Sequence, residues 1–224
     1  MRGLFQWAVK AKHLTVDPTK NVDGFGHKTK GFHTWTDEEI RRFEKRWPIG
    51  TRERLALAIL LYTGLRRGDA ARLGRQHVRD GLITMTTEKT GTIVEIPILP
   101  VLEKIIAVSK TGDGAFVATP SGDPMTKESF GNWFRDACNA AGVPGAAHGL
   151  RKAGATHAAN NGATEAELEA IFGWTGGRMA SLYTKAANRK RLARGAMAKM
   201  AREESSDPMP PPPEFGEGLV AETT

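Results

Sequence analysis

The stretch "LALAILLYTGLRRGD", residues 55–69, decides the fold. From Leu55 to Tyr62 it is apolar on every side of a helix, so the helix must be enclosed rather than laid on a surface. Tyr62 belongs to the core that encloses it. Gly64 punctuates the helix end, and Arg66 follows in a polar run. A cation mounted there leaves a rigidly anchored backbone. The apolar run is far too short to span a bilayer, and the N-terminus lacks an apolar signal core, so a cytoplasmic protein without a membrane partner is expected.

Working outward toward the N-terminus, Thr36 with Glu39 three residues on forms a capping box that opens a helix. Ile40, Phe43 and Trp47 share one face of it, and the core begins there. Ahead of it, residues 3–14 predict one short helix with nothing before it to pack on. A basic, Gly- and Pro-punctuated linker follows, over residues 15–34. A helix stranded ahead of a linker is expected to be the remnant of an upstream domain.

Toward the C-terminus, residues 82–98 alternate β-branched and polar residues on both sides of a turn at Lys89 to Gly91, a β-hairpin signal. Phe130, Trp133, Phe134, Ala137, Cys138 and Ala141 recur at helical spacing, giving an amphipathic helix that ends near Gly142. Another helix is expected to start near Leu150 and run toward Gly162. Thr164 and Glu167 make a second capping box, with Gly173 at the C-terminal cap. The outcome is an α+β chain, mainly helical, with a small antiparallel sheet.

The net charge of +7 divides into −6 on residues 203–224, which hold no Lys or Arg, and +13 on the remainder. That acidic, Pro-rich tail is expected to be disordered from residue 204 onward. Between Asn188 and Arg202 stand six bases and no acid: Arg189, Lys190, Arg191, Arg194, Lys199 and Arg202. This predicts a basic helix, the footprint of a nucleic-acid binder. Leu192, Ala196 and Met200 give it a narrow apolar stripe. The single cysteine, Cys138, cannot form an internal disulfide and has no zinc-ligand spacing around it. Acids such as Asp80 and Asp113 show no paired-carboxylate spacing, which argues against a metal nuclease.

The polar residues at element boundaries are Arg66, Lys89 on the hairpin turn, His148 and Arg151 three apart in "HGLRK", Trp174 after a glycine cap, and Tyr183. Each has an ordinary reading. Arg66 can bind the last helix carbonyls or Asp69, Lys89 can face solvent, His148 can cap a helix, and Trp174 can be core. Together they suit attack on a phosphodiester. That reaction needs fixed cations around the non-bridging oxygens, a nucleophile, an acid for the departing oxygen, and neutral donors. Two arginines make a clamp because the planar guanidinium stays charged and holds two oxygens at once.

The stretches "TGLRRGDAARL" (63–73), "EKTG" (88–91), "HGLRKAGATHAA" (148–159) and "FGWTGGRMASLYTK" (172–185) resemble, in that order, the signature boxes of the tyrosine recombinase (phage integrase) catalytic domain. The resemblance implies a catalytic domain over residues 35–203, and for residues 1–14 the last helix of an absent core-binding domain. It implies Arg66 and Arg151 as clamp arginines, Lys89 as general acid, His148 as a proton-transfer or hydrogen-bonding partner and Trp174 at a position usually held by histidine. It further implies Tyr183 as nucleophile and Asp69 as a supporting acid behind the site. Arg189, Lys190, Arg191 and Arg194 are expected to contact DNA. The activity implied is site-specific DNA recombination through a 3′-phosphotyrosyl intermediate, needing neither metal, ATP nor another cofactor. The partners implied are double-stranded DNA and further copies of the chain, as a tetramer in the full-length form. The alternatives are a type IB topoisomerase-like relaxing activity and a catalytically silent DNA-binding regulator.

Overall fold

The computed structural model describes residues 1–22 and 31–200. Contacts divide the chain into two units, Met1–His33 and Thr34–Thr224. In the first, helix α1 (Arg2–Lys10) stops short of the expected end at Leu14, and Lys12 turns the backbone left-handed at φ 61°. The chain folds back on α1 through Arg2, whose guanidinium donates to the carbonyls of Thr19 and Val22. Leu4 and Trp7 are exposed. The central part of the expected linker and the acidic tail lie outside the described residues.

The second unit opens with α2 (Asp37–Arg46). Its capping box is formed: Glu39 N–H donates to Thr36 Oγ1 at 3.2 Å and Thr36 N–H to Glu39 Oε2 at 2.8 Å. Ile40 and Phe43 are buried, whereas Trp47 is the C-terminal cap, half-buried, with its indole donating to the Ala137 carbonyl at 3.1 Å. Helix α3 (Arg52–Thr63) is the enclosed helix: every side chain from Leu55 to Leu61 is buried, and Tyr62 is half-buried against the same core.

The structure adds a short helix, α4 (Arg67–Arg72), directly after α3. A three-stranded antiparallel sheet follows in the order β1 (Val78–Arg79), β2 (Leu82–Thr86), β3 (Ile93–Pro97). The hairpin is β2–β3, with Ile83 opposite Ile96 and Met85 opposite Val94, all four buried on one face. Helix α5 (Pro100–Val108) packs on α3 and starts with proline at its first position. Helix α6 (Lys127–Ala140) brings Phe130 and Phe134 into an aromatic cluster with Trp35 and Phe43. Helix α7 (Ala147–Asn160) packs on α3, α8 (Glu165–Phe172) is capped by Thr164, and α9 (Arg178–Met200) packs on α7 and α8. The expected basic helix is therefore not a separate element. It is the C-terminal part of the helix that carries Tyr183. No described helix is long and apolar enough to cross a membrane.

Gly64 is where the enclosed helix meets α8. Its φ of 61° is left-handed, and a Cβ there would collide with the Phe172 ring. A side chain costs roughly 1–2 kcal/mol for that backbone conformation, and overpacking adds about 1–3. Gly64→Ala is therefore expected to destabilise the fold by on the order of 2–5 kcal/mol in chemical denaturation. An unchanged midpoint would show that neither the left-handed backbone nor Phe172 resists the added methyl group.

Candidate active site

Arg66 occupies the N-cap position of α4, with an extended backbone and no capping bond from its side chain. Its Nη1 is shielded from solvent and has no hydrogen-bond partner among the described residues. A buried guanidinium nitrogen without an acceptor is costly, so this one is poised for an anion. The ordinary pairing with Asp69 is not made. The buried Asp69 carboxylate instead accepts, through Oδ1, the backbone N–H of Glu88 at 2.8 Å and Arg72 Nη2 at 2.7 Å. Asp69 thus fastens the hairpin turn to α4.

Lys89 stands exposed on that turn. The turn is closed by Thr87 N–H on the Thr92 carbonyl and Gly91 N–H on the Thr87 carbonyl, both at 2.9 Å. The hydroxyls of Thr87 and Thr90 lie 2.8 Å apart.

The helix expected near Leu150 begins at Ala147, so His148 and Arg151 leave its first turns together. Arg151 is buried. Its Nη1 donates to the Gly64 carbonyl, and its Nη2 donates to the Phe172 carbonyl at 2.5 Å. Its guanidinium carbon lies 5.1 Å from the Phe172 ring centre and 5.4 Å from that of Trp174. Burial first, and then the charge of Arg66, push its pKa down to about 10, while Asp69 and Tyr183 act in the opposite sense. It keeps its charge at neutral pH. His148 is on the open side of α7. Partial burial, then the charges of Arg151, Lys152, Arg66 and Lys89, push its pKa below the ordinary value. The imidazole is neutral at pH 7, with one nitrogen able to donate and the other to accept. Of these four cations, Arg66 and Lys89 come from distant parts of the sequence.

Gly173, left-handed at φ 58°, ends α8 and turns Trp174 back over it. Trp174 is the middle of a three-ring stack: Phe172 lies 4.7 Å away at 19°, and Tyr183 lies 5.5 Å away at 7°. Tyr183 is half-buried on α9. Burial raises its phenol pKa, with Arg151 pulling the other way, so the resting group is protonated. Two contacts seat this helix on α8. Thr184 Oγ1 donates to Glu165 Oε1 at 3.0 Å, and Gly177 N–H donates to Glu169 Oε1 at 2.6 Å.

Arg151 and Tyr183 thus both meet the Trp174 ring, and Arg66, Lys89 and Arg151 act electrostatically on His148. The bases farther along α9 do not join them: Arg189, Arg191 and Arg194 are exposed, and Arg191 binds the Asn188 side chain at 3.0 Å. Lys190 belongs to α9 by its backbone, and its side chain is outside the described residues. Leu192 and Met200 of the apolar stripe are also exposed. Phe172, whose carbonyl and ring both meet Arg151, was not singled out by sequence reasoning, although it opens the box containing Trp174. Among the described residues no cluster of His, Cys, Asp and Glu has the makings of a metal site. Cys138 is buried, and burial pushes its thiol pKa up to about 12.

Comparison with known proteins matches residues 36–190 to the phage integrase family. Tyrosine recombinase XerD of Ralstonia nicotianae is 25% identical over 210 residues, covering 85% of this chain and 68% of that protein. Tyrosine recombinase XerC 2 of the same organism is 25% identical over 204 residues, covering 82% of this chain and 58% of its own length. Among solved structures, a lambda integrase dimer bound to a COC′ core site superposes with a TM-score of 0.67 at 20% identity, over 82% of this chain and 69% of that one. The Tn1549 transposon integrase in complex with a circular intermediate DNA gives 0.67 at 19% identity, over 86% and 76%. The fold is that of the tyrosine recombinase catalytic domain, and with the family match running through every stretch that builds the cluster, the chain belongs to the phage integrase family of tyrosine recombinases.

Proposed function

We propose that this chain cleaves and rejoins DNA strands at specific sites by transesterification through Tyr183. The observation that carries the reading is the solvent-shielded, unpartnered Nη1 of the partly buried Arg66, within electrostatic reach of the buried Arg151, which is itself within reach of Tyr183. Two fixed cations fit the two non-bridging oxygens of a phosphodiester and neutralise the charge that builds there in the transition state. The Tyr183 oxygen attacks phosphorus, the tyrosyl O–P bond forms, and the P–O5′ bond breaks. Lys89 gives the departing 5′ oxygen its proton. His148, held neutral, accepts the phenolic proton as Tyr183 attacks, and the imidazolium formed can then hydrogen bond to a phosphoryl oxygen. The Trp174 ring holds the phenol in place. The new phosphotyrosine conserves the energy of the broken ester, so the reverse attack by a 5′-hydroxyl rejoins a strand.

Double-stranded DNA is the substrate in this reading, bound with help from the exposed bases Arg189, Arg191 and Arg194 and from Lys190. The lambda integrase dimer and the tetramer on a Holliday junction support assembly of several copies on DNA. The decisive experiment uses a nicked duplex carrying the cognate site, from which the short cleaved fragment diffuses away. A denaturing gel is expected to show a protein–DNA adduct, with mass spectrometry locating the phosphate on the peptide containing Tyr183. Tight, salt-sensitive binding without any adduct would make the chain a DNA-binding protein rather than a recombinase.

A further inference from the structure

In this reading the general acid sits on a turn between two five-residue strands, with its side chain exposed. Proton donation depends on a geometry held within fractions of an ångström, so the turn has to be fixed by something outside the hairpin. Its backbone is tied to α4 by the bond from Glu88 N–H to Asp69. A second tie comes from the Glu88 side chain. Its Oε1 receives Lys127 Nζ at 2.7 Å, and Lys127 is the first residue of α6. The other oxygen lies over Gly68 of α4, where a Cβ would collide with it. Glu88 is thus gripped between two helices immediately before the catalytic lysine.

We infer that the Glu88–Lys127 ion pair is a latch that positions Lys89, which makes Lys127, on a helix with no other part in the site, a positioning residue for proton transfer. The electrostatics agree. The carboxyl of Glu88 is held below its usual range, first by the hydrogen bond from Lys127 and then by its charge, with Arg72 and Arg67 adding to it. The ammonium of Lys127 is held above its own, first by the bond to Glu88. Among the described residues no hydrogen bond or ion pair of its own holds the Lys89 side chain, so the ties through Glu88 are what place it. The two partners are each nearly half exposed, at 46% and 47%, so the latch tunes the rate rather than creating it.

The inference rests on Lys89 being the general acid, and the test separates the two. Single-turnover cleavage is measured on two nicked substrates, one with the natural 5′ oxygen at the scissile bond and one with sulfur, a leaving group that needs no proton. Lys89→Ala is expected to slow only the oxygen substrate. Lys127→Met and Glu88→Gln are expected to slow the oxygen substrate about two- to fivefold and leave the sulfur substrate unchanged. Glu88→Lys, which sets like charges together, is expected to slow it further, and adding Lys127→Glu to it is expected to restore the rate. A structural defect alone would slow both substrates equally. If Lys89→Ala is selective for oxygen while the Lys127 and Glu88 variants are not, the latch is overturned and the acid stands. If Lys89→Ala slows both substrates alike, the acid assignment falls and takes the latch with it.

Discussion

Tyr183→Phe is expected to abolish the covalent protein–DNA adduct while leaving the fold and DNA binding intact. The substitution removes one hydroxyl and keeps the ring, so the parallel stack on Trp174 at 5.5 Å is preserved. The helix itself is held by other groups, Thr184 on Glu165 and Gly177 on Glu169. Thermal stability is therefore expected to change little. The rate has nowhere to recover, because no other group supplies the attacking oxygen at that place, and losses of at least about 10⁴-fold accompany removal of a nucleophile. Tyr62→Phe is the control. Tyr62 is also half-buried, and its phenol pKa is also raised, first by burial and then by Glu44. It packs against the core at the end of α3. Its variant is expected to form the adduct at the wild-type level. An adduct that survives Tyr183→Phe would move the nucleophile elsewhere and sink the mechanism.

The parts of this structure legible from the sequence are those set by neighbouring residues. The capping boxes at Thr36 and Thr164 and the left-handed caps at Gly64 and Gly173 are local signals, and all four appear in the structure. The alternation of Ile83 and Met85 against Val94 and Ile96 sets the hairpin register, because slipping one strand by one residue would turn its buried pair to solvent. Short elements are less legible. The six residues of α4 offer less than two turns of periodicity, and β1 has only two residues. The length of α9 was hidden for another reason: the charge pattern changes at Asn188, but a change of charge does not end a helix, and neither Gly nor Pro interrupts the chain from Arg178 until Gly195. The candidate site residues could be singled out by chemistry and by resemblance. What joins them could not. The carbonyls that Arg151 binds belong to residues 87 and 21 positions away, and Asp69 meets the hairpin turn 19 positions along.

Substitution of Arg151 has the next largest expected effect, and Arg151→Lys is its most telling form, because Arg151 has two duties that a point charge cannot share. Its forked guanidinium reaches the carbonyl ending α3 at Gly64 and the carbonyl ending α8 at Phe172 together, so it ties the enclosed helix to the segment that leads into Trp174 and Tyr183. An ammonium can serve one of these carbonyls but not both in the same geometry. The other is left buried and unpaired, at a cost of about 1–3 kcal/mol. Burial and the charge of Arg66 already push the arginine pKa down to about 10, and a lysine in that place starts from a lower intrinsic pKa, so it loses its proton more readily. The clamp then loses charge as well as shape. Cleavage is expected to fall by about 10²–10³-fold, the usual consequence of removing one fixed group that stabilises transition-state charge. The unfolding midpoint is expected to fall with it. Arg151→Ala, which removes both the fork and the charge, is expected to leave no measurable cleavage. Parallel denaturation curves and single-turnover rates decide the matter. A lysine variant that kept wild-type stability and cleaved within about threefold of the wild-type rate would show that charge alone is needed at position 151, and that the link between Gly64 and Phe172 has no part in building the site.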